Sequence, residues 1–338
     1  MNGGCSGKPG AVPRGRKGCE CRVSSSGSQG SIPCAGWASA GRARMMGEMD
    51  AAVREAMEGL RGWYREHGRH DLPWRRTRDA YAVFVSEVML QQTQVERARP
   101  YWERWMARWP SAAGLAAAPA AEAIREWAGL GYNRRALHLH RAAVAVVEGH
   151  AGAFPVDDAA VRALPGAGEY TAAAVACFAG EARTFVADTN IARVLARMTV
   201  GAATHRGVSR RVLRGVGEAH LPDEDPRSHN LGLMDLGALV CTPRSPSCET
   251  CPLALACAWR AEGYPEAAAP PRATPRFETT ARFARGRIVD ALRGGPRLES
   301  ELRDALPPAH ASRTAEYLAS LARDGLVARA GEGWALPG

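Results

Sequence analysis

The sequence predicts an all-α protein with a small winged-helix-like domain at its C-terminal end. Between about Asp50 and Ala258, Ala, Leu, Arg and Glu dominate, and apolar residues recur at spacings of three and four, the period of a helix. Strand-like alternation is nearly absent over that span. From residue 281, ARFARGRIVDALRGG, LESELRDAL and SRTAEYLASLARDGL read as three helices, and LVARAGEGWALPG reads as two short strands about a Gly-Glu-Gly turn.

Taken in order, residues 1–45 come first. They are rich in Gly and Ser, lack periodicity, and cannot bury enough apolar surface to offset the entropy of ordering, so disorder is expected there. Cys5, Cys19, Cys21 and Cys34 are irregularly spaced and have no nearby His, a poor pattern for a metal site. Met45, Met46 and Met49 precede the first regular helical pattern, so the expectation is that the native start is one of them and the tail a mis-called extension. The tail also distorts the charge. The 338 residues carry 44 Lys+Arg against 35 Asp+Glu, a formal +9, but residues 1–45 hold +6 of it. Lys8 and Lys17 are the only lysines, so residues 46–338 contain none.

A hydrophobic content of 46% suits a folded protein, and 338 residues allow two or three domains. No segment reaches the ~18 apolar residues of a membrane span, and the N-terminus lacks an apolar signal core, so a cytoplasmic protein with no membrane partner is expected. The domain boundaries read as 46–262 for a core, split into about 72–182 and 46–71 plus 183–262. A Pro/Ala-rich linker at 263–280 and the 281–338 domain follow. Within the core, breaks fall at Asp71-Leu-Pro73, Pro110, Pro119, Gly129-Leu-Gly131, Gly152, Pro165-Gly166-Ala-Gly168 and Gly180.

Four constellations carry chemistry. In Ser86-Glu-Val-Met-Leu-Gln-Gln-Thr-Gln94, Val83, Phe84, Val88 and Met89 give the helix an apolar face with Glu87 beside it. Glu87 is either an ordinary exposed carboxylate or, if buried, a proton donor near neutrality. Gln91, Gln92 and Gln94 offer amides suited to base edges. Leu164-Pro-Gly-Ala-Gly168 lies between DDAAVRAL and EYTAAAVACFAG. Such a turn is either helix punctuation or, with Gly166 and Gly168 baring backbone N–H groups, a helix-hairpin-helix clamp on a phosphate backbone. Val186-Ala-Asp188-Thr-Asn190 enters the helix IARVLARM, making Asp188 an N-cap. Paired with a protonated Glu87, an ionised Asp188 would complete the two-carboxylate arrangement that breaks glycosidic bonds. Lastly, Cys241-x6-Cys248-x2-Cys251-x5-Cys257 brings four thiolates into one short loop. Thiolate-only ligation with a single Cys-x2-Cys knuckle suits a [4Fe–4S] cluster, with structural zinc as the alternative. Arg244, between the first two ligands, would face a phosphate.

The blocks LPWRRTRDAYAVFVSEVMLQQTQV, GLGYNRRALHLH, LPGAGEYTAAAV, VADTNIARVLAR and MDLGALVC with its three following cysteines occur in the order found in the MutY family of adenine DNA glycosylases. The resemblance covers roughly residues 60–260 and implies a helix-hairpin-helix glycosylase fold related to endonuclease III. It implies that Glu87 protonates a flipped adenine, that Asp188 stabilises the sugar cation, and that Asn190 supports Asp188. Trp74 and Arg75 would help line the adenine pocket, and Gln92 and Tyr132 would wedge into the duplex near the opposite purine. Tyr170 falls where lyase relatives carry a Schiff-base lysine, and Cys241, Cys248, Cys251 and Cys257 match the cluster ligands. The absence of lysine from residues 46–338 independently excludes an internal lysine Schiff base, so a monofunctional enzyme is expected.

Two departures stand out. Residues 281–338 are too short for the Nudix-like domain that reads 8-oxoguanine in many family members, and Leu231 replaces an expected Gln or Glu near the adenine. The mixed charge of the C-terminal helices favours packing or docking over DNA contact. The expected substrate is double-stranded DNA with A:8-oxoguanine or A:G, acted on by a monomer and followed by abasic-site repair enzymes. The alternatives are a glycosylase for thymine in T:G, or an iron–sulfur DNA-binding regulator.

Overall fold

The computed structural model describes residues 39–265 and 275–338, with side chains from residue 51 onward. The four N-terminal cysteines lie outside the described residues. A first helix, α1 (Ser39–His67), begins inside the segment expected to be disordered. Residues 39–45 are helical because Ala, Arg and Met propagate a helix and no proline interrupts it.

Between α1 and the linker run α2 (Ala80–Leu90), α3 (Val95–Arg108), α4 (Ala112–Ala117), α5 (Ala120–Glu126), α6 (Arg134–His150), α7 (Asp158–Arg162), α8 (Glu169–Phe178), α9 (Thr189–Leu195), α10 (Arg210–Ala219), α11 (Pro226–Leu239) and α12 (Ala258–Ala261). Each predicted break falls between helices or at a helix end. Asp79 caps α2, its carboxylate accepting the Ala82 N–H at 2.6 Å. The helix is buried on all sides from Ala80 to Met89, as a central helix must be, and α3, α6 and α8 pack around it. The α3 stripe Ala98, Trp102 and Trp105 faces it, and Trp102 Nε1 donates to the Ala82 carbonyl at 3.0 Å. A second group is α9, α10 and α11, with the end of α1 lying against α11 where Gly232 admits Tyr64 and Leu60.

Within the expected linker, Phe277–Thr279 form a turn, and Phe277 stacks edge-on against Phe283 at 5.6 Å. Beyond it stand α13 (Ala281–Leu292), α14 (Glu299–Asp304), a one-turn α15 (Pro308–Ala311) absent from the sequence expectation, and α16 (Thr314–Arg323). The antiparallel pair β1 (Ala328–Ala330) and β2 (Gly333–Ala335) closes the chain, with Arg329 opposite Trp334 and a bridge from Arg297 to Trp334. This is the winged-helix order, and it holds the only strands among the described residues. No described helix is long and apolar enough to cross a membrane.

Candidate active site

A cavity of about 630 Å³ opens between the two helical groups. It brings together Glu87 of α2, Tyr170 of α8, Asp188 and Asn190 at the start of α9, Trp74 and Arg75 of the turn before α2, Gln92 of the turn after it, and Leu231 of α11. Trp74, Leu231 and Glu87 are almost fully buried, so the exposed-carboxylate alternative for Glu87 falls away.

Burial pushes the Glu87 carboxyl up to about 7. The Asp188 charge adds to that rise, while a hydrogen bond from Tyr170 and the Arg75 charge oppose it. Tyr170 is itself pushed far above its ordinary value, by burial first and then by the two carboxylates, so it remains a neutral phenol donor.

Asp188 is both an N-cap and a cavity group. Its Oδ1 accepts the Ile191 N–H at 2.6 Å and its Oδ2 accepts from Asn190 Nδ2 at 3.1 Å. Burial raises its carboxyl, and these donors work against that rise. Asn190 is fixed in turn by Arg193, which donates to Asn190 Oδ1 at 2.9 Å, the Gly237 carbonyl at 2.6 Å and the Cys241 carbonyl at 2.9 Å. A Cβ on Gly237 would sit 2.7 Å from the Asn190 Cβ, so only glycine lets α11 lie this close to the Asp188 turn.

Among the buried charges that sequence reasoning missed, two more bear on the cavity and its rim. Asp235, wholly buried in α11, accepts from Arg75 Nη2 at 2.8 Å, Arg69 Nε at 2.8 Å and the Arg69 N–H at 2.9 Å, with a second, shorter bond from Arg75 Nη1. Burial alone would raise this carboxyl, but the hydrogen bonds and charge of Arg75, with the Arg69 charge, hold it below the ordinary range. A lone Asp inside the apolar run LGLMDLGAL was the available signal.

The other is Arg135. Its guanidinium donates to the carbonyls of Val88 (3.1 Å), Met89 (2.8 Å) and Gln91 (2.7 Å), and to those of Leu130 (3.2 Å) and Gly131 (3.1 Å). It thereby takes the last carbonyls of α2, and the helix stops at Leu90 rather than running on through Gln94. Burial lowers Arg135 to about 10, which leaves it charged at neutral pH. The two loops it joins each carry a residue in the left-handed region, Gln92 at φ 58° and Tyr132 at φ 49°. Gln92 lines the cavity; Tyr132 does not, standing 40% exposed on the neighbouring loop.

In the hairpin, Gly166 adopts φ 83° and a Cβ there would lie 2.6 Å from the His138 Cβ, so glycine is required. Gly168 caps α8, and a Cβ there would meet nothing within 4 Å, leaving its backbone open to an approaching group. Arg244 is exposed in the cysteine loop.

Cys241, Cys248, Cys251 and Cys257 are half-buried free thiols lining one small cavity. Burial first, and then the charges of its three fellow cysteines, raise the Cys251 thiol to about 11 against the opposing Leu253 N–H. Arg197, in the π-helical turn after α9, donates to Cys241 Sγ at 3.2 Å and lies over the Trp259 ring at 4.5 Å. Four thiols around one cavity form a thiolate-only donor set, which suits an iron–sulfur cluster.

Comparison with known proteins agrees. Residues 85–216 match the HhH-GPD superfamily of base excision DNA repair proteins, and residues 241–254 match the iron-sulfur binding domain of endonuclease III. The cofactor is therefore a [4Fe–4S] cluster. The chain is 43% identical over 277 residues to the adenine DNA glycosylase of Mycolicibacterium smegmatis, covering 81% of this chain and 93% of that one. It is 42% identical over 286 residues to that of Mycobacterium tuberculosis, covering 82% and 92%. A thermostable thymine-DNA glycosylase superposes with a TM-score of 0.58 at 28% identity, covering 63% of this chain and 98% of that one. Endonuclease III bound to DNA shares the fold, with a TM-score of 0.55 at 19% identity over 62% of this chain and 96% of that one.

Proposed function

The chain belongs to the adenine DNA glycosylase family, and from that premise we propose that it hydrolyses the N-glycosidic bond of adenine mispaired with 8-oxoguanine or guanine, leaving an abasic site. The observation that carries this reading is the cavity in which a carboxyl raised to about 7, Glu87, is lined up with Asp188. A flipped adenine enters against Trp74 and Leu231, its extrusion costing a few kcal/mol, least at a mismatch. Glu87 gives its proton to the adenine ring, so that the C1′–N bond breaks with its electron pair leaving on neutral adenine. The Asp188 carboxylate, aimed by Asn190, stabilises the cation left at C1′. A water oxygen then bonds to C1′, and its released proton restores Glu87.

The hairpin N–H groups at Gly166 and Gly168 and the exposed Arg244 hold the phosphate backbone, while Gln92 and Tyr132 enter the duplex beside the opposite purine. Cys241, Cys248, Cys251 and Cys257 would hold the cluster, which supplies a rigid framework for a loop with little core of its own. With no lysine in residues 46–338, strand cleavage through an internal lysine Schiff base has no nucleophile.

The test uses duplexes containing A:8-oxoguanine, A:G, T:G and matched A:T, with abasic sites cleaved afterwards by alkali. Adenine release from the first two supports the reading. Thymine release from T:G, or strand scission before alkali with a borohydride-trappable adduct, refutes it. Glu87→Gln should bind the mismatch and release no base.

A further inference from the structure

We propose that the C-terminal domain is a brace for Tyr132, with Arg282 as the positioning residue that fixes this exposed phenol and so sets discrimination between a mismatch and a matched pair. The proposal rests on the functional reading above, in which Tyr132 meets the duplex.

Helix α13 lies along the loop that joins α5 to α6 and touches it at both ends. At its C-terminal end Arg293, with a side chain only 13% exposed, donates to the carbonyls of Ile124 and Arg125 and to Asn133 Oδ1 at 3.0 Å. Arg125 Nε returns a bond to the Arg293 carbonyl at 3.2 Å. At the N-terminal end Arg282 donates to the Tyr132 hydroxyl, and its guanidinium lies 4.9 Å from the centre of the Tyr132 ring. It also lies 4.9 Å from the ring of Phe277. A third fastening is Asp324 at the end of α16, which pairs with Arg285 of its own domain and with Arg134 of α6 at 3.6 Å.

What these contacts hold in place is unusual. Tyr132 combines a large ring left 40% exposed with a left-handed backbone, which persists where surrounding groups impose it. Arg135 fixes the loop from inside, its guanidinium 5.6 Å from the same ring. Arg282 fixes the phenol from outside. A phenol that accepts from a guanidinium keeps its own O–H free, so the ring is presented in one orientation with a donor pointing away from the domain.

The test measures affinity of the full holo chain for duplexes with adenine opposite 8-oxoguanine, guanine and thymine, with adenine release by the unmodified protein measured first. If the unmodified protein releases adenine from neither mismatch, the functional reading fails and the brace falls with it. If it does release adenine, Arg282→Ala should lower the preference for mismatch over matched duplex about tenfold, with matched binding and melting temperature unchanged. Arg282→Lys should fail in the same way, because an ammonium keeps the charge but not the planar stack. In a Tyr132→Ala background, Arg282→Ala should cost nothing further, since its effect passes through that ring. Three results overturn the brace: unchanged preference, additive losses, or a uniform loss on all three duplexes that Arg282→Lys restores. The last would make Arg282 a plain phosphate contact.

Discussion

Replacing Glu87 with Gln should abolish adenine release and, above neutral pH, make the fold more stable. An ordinary Glu carboxyl titrates near 4.5, and in this fold burial carries it to about 7. Each unit corresponds to about 1.4 kcal/mol, so ionising Glu87 inside the protein costs about 3 kcal/mol relative to the unfolded chain. Below the unfolded value both states hold the proton and no penalty exists. As pH rises toward 7 the unfolded chain loses its proton first, so folded stability falls; above 7 the full penalty is present. Gln has no proton to lose. The stability gap between variant and unmodified protein should therefore widen by about 3 kcal/mol between about pH 4.5 and pH 7, then level off. Thermal melts of both holo proteins at about pH 5 and about pH 8 read this directly, with an added midpoint gain of roughly 6–10 °C at the higher pH. A Gln that merely packs differently would shift both pH values alike. A gap that stays constant, or narrows as pH rises, refutes a raised Glu87 carboxyl and with it the proton donor.

Single-turnover adenine release should be full below about pH 7 and fall as pH rises through it, because Glu87 acts while protonated. Tyr170→Phe removes a donor that favours the Glu87 anion, so the alkaline limb should move up by about one pH unit; a lower rate with an unmoved limb would leave Tyr170 a packing residue. Asp235→Asn should leave Arg75 and Arg69 without their anion and destabilise the fold by about 3 kcal/mol or more, measured by unfolding. Cys251→Ser should lower iron content per chain and melt the loop around residues 241–257 first, seen as faster amide exchange there. Full iron retention would place Cys251 outside the ligand set.

The helices were legible because each signal is local. Apolar spacing marks the stripe on α3, and prolines and glycines mark the breaks. The cysteine loop was legible from spacing alone. Glu87 and Asp188 were legible as candidates, but their meeting was not, since it depends on how α8 and α9 are set against α2. Arg134 and Arg135 show why the buried charges escaped notice. They are adjacent and chemically identical, yet one is exposed and pairs with Asp324 while the other is buried under six backbone and hydroxyl acceptors. Helix periodicity ranks positions by face, and it takes the partner loops to decide which arginine is drawn in. The same cause explains where α2 ends: its last carbonyls are taken by Arg135, a residue more than 40 positions away.

The cavity's charge balance explains why Asp235 belongs in it. Arg75 is a cation beside Glu87, and a free cation there would hold Glu87 ionised and unable to act as an acid. Asp235 engages both terminal nitrogens of Arg75 while also pairing with Arg69, so its carboxylate opposes the Arg75 charge felt by Glu87. What remains is a protonated Glu87 and an Asp188 carboxylate held by the Ile191 N–H and the Asn190 amide. Of these two groups Asp188 alone carries the negative charge, placed to complement a sugar cation at C1′. A lysine at the Tyr170 position would bring the same fault as an unpaired Arg75, an ammonium that pulls Glu87 toward its anion. A neutral phenol avoids it while still donating a hydrogen bond. The missing lysine is thus more than the loss of a nucleophile: it spares Glu87 a further cation at the position from which Tyr170 donates its hydrogen bond.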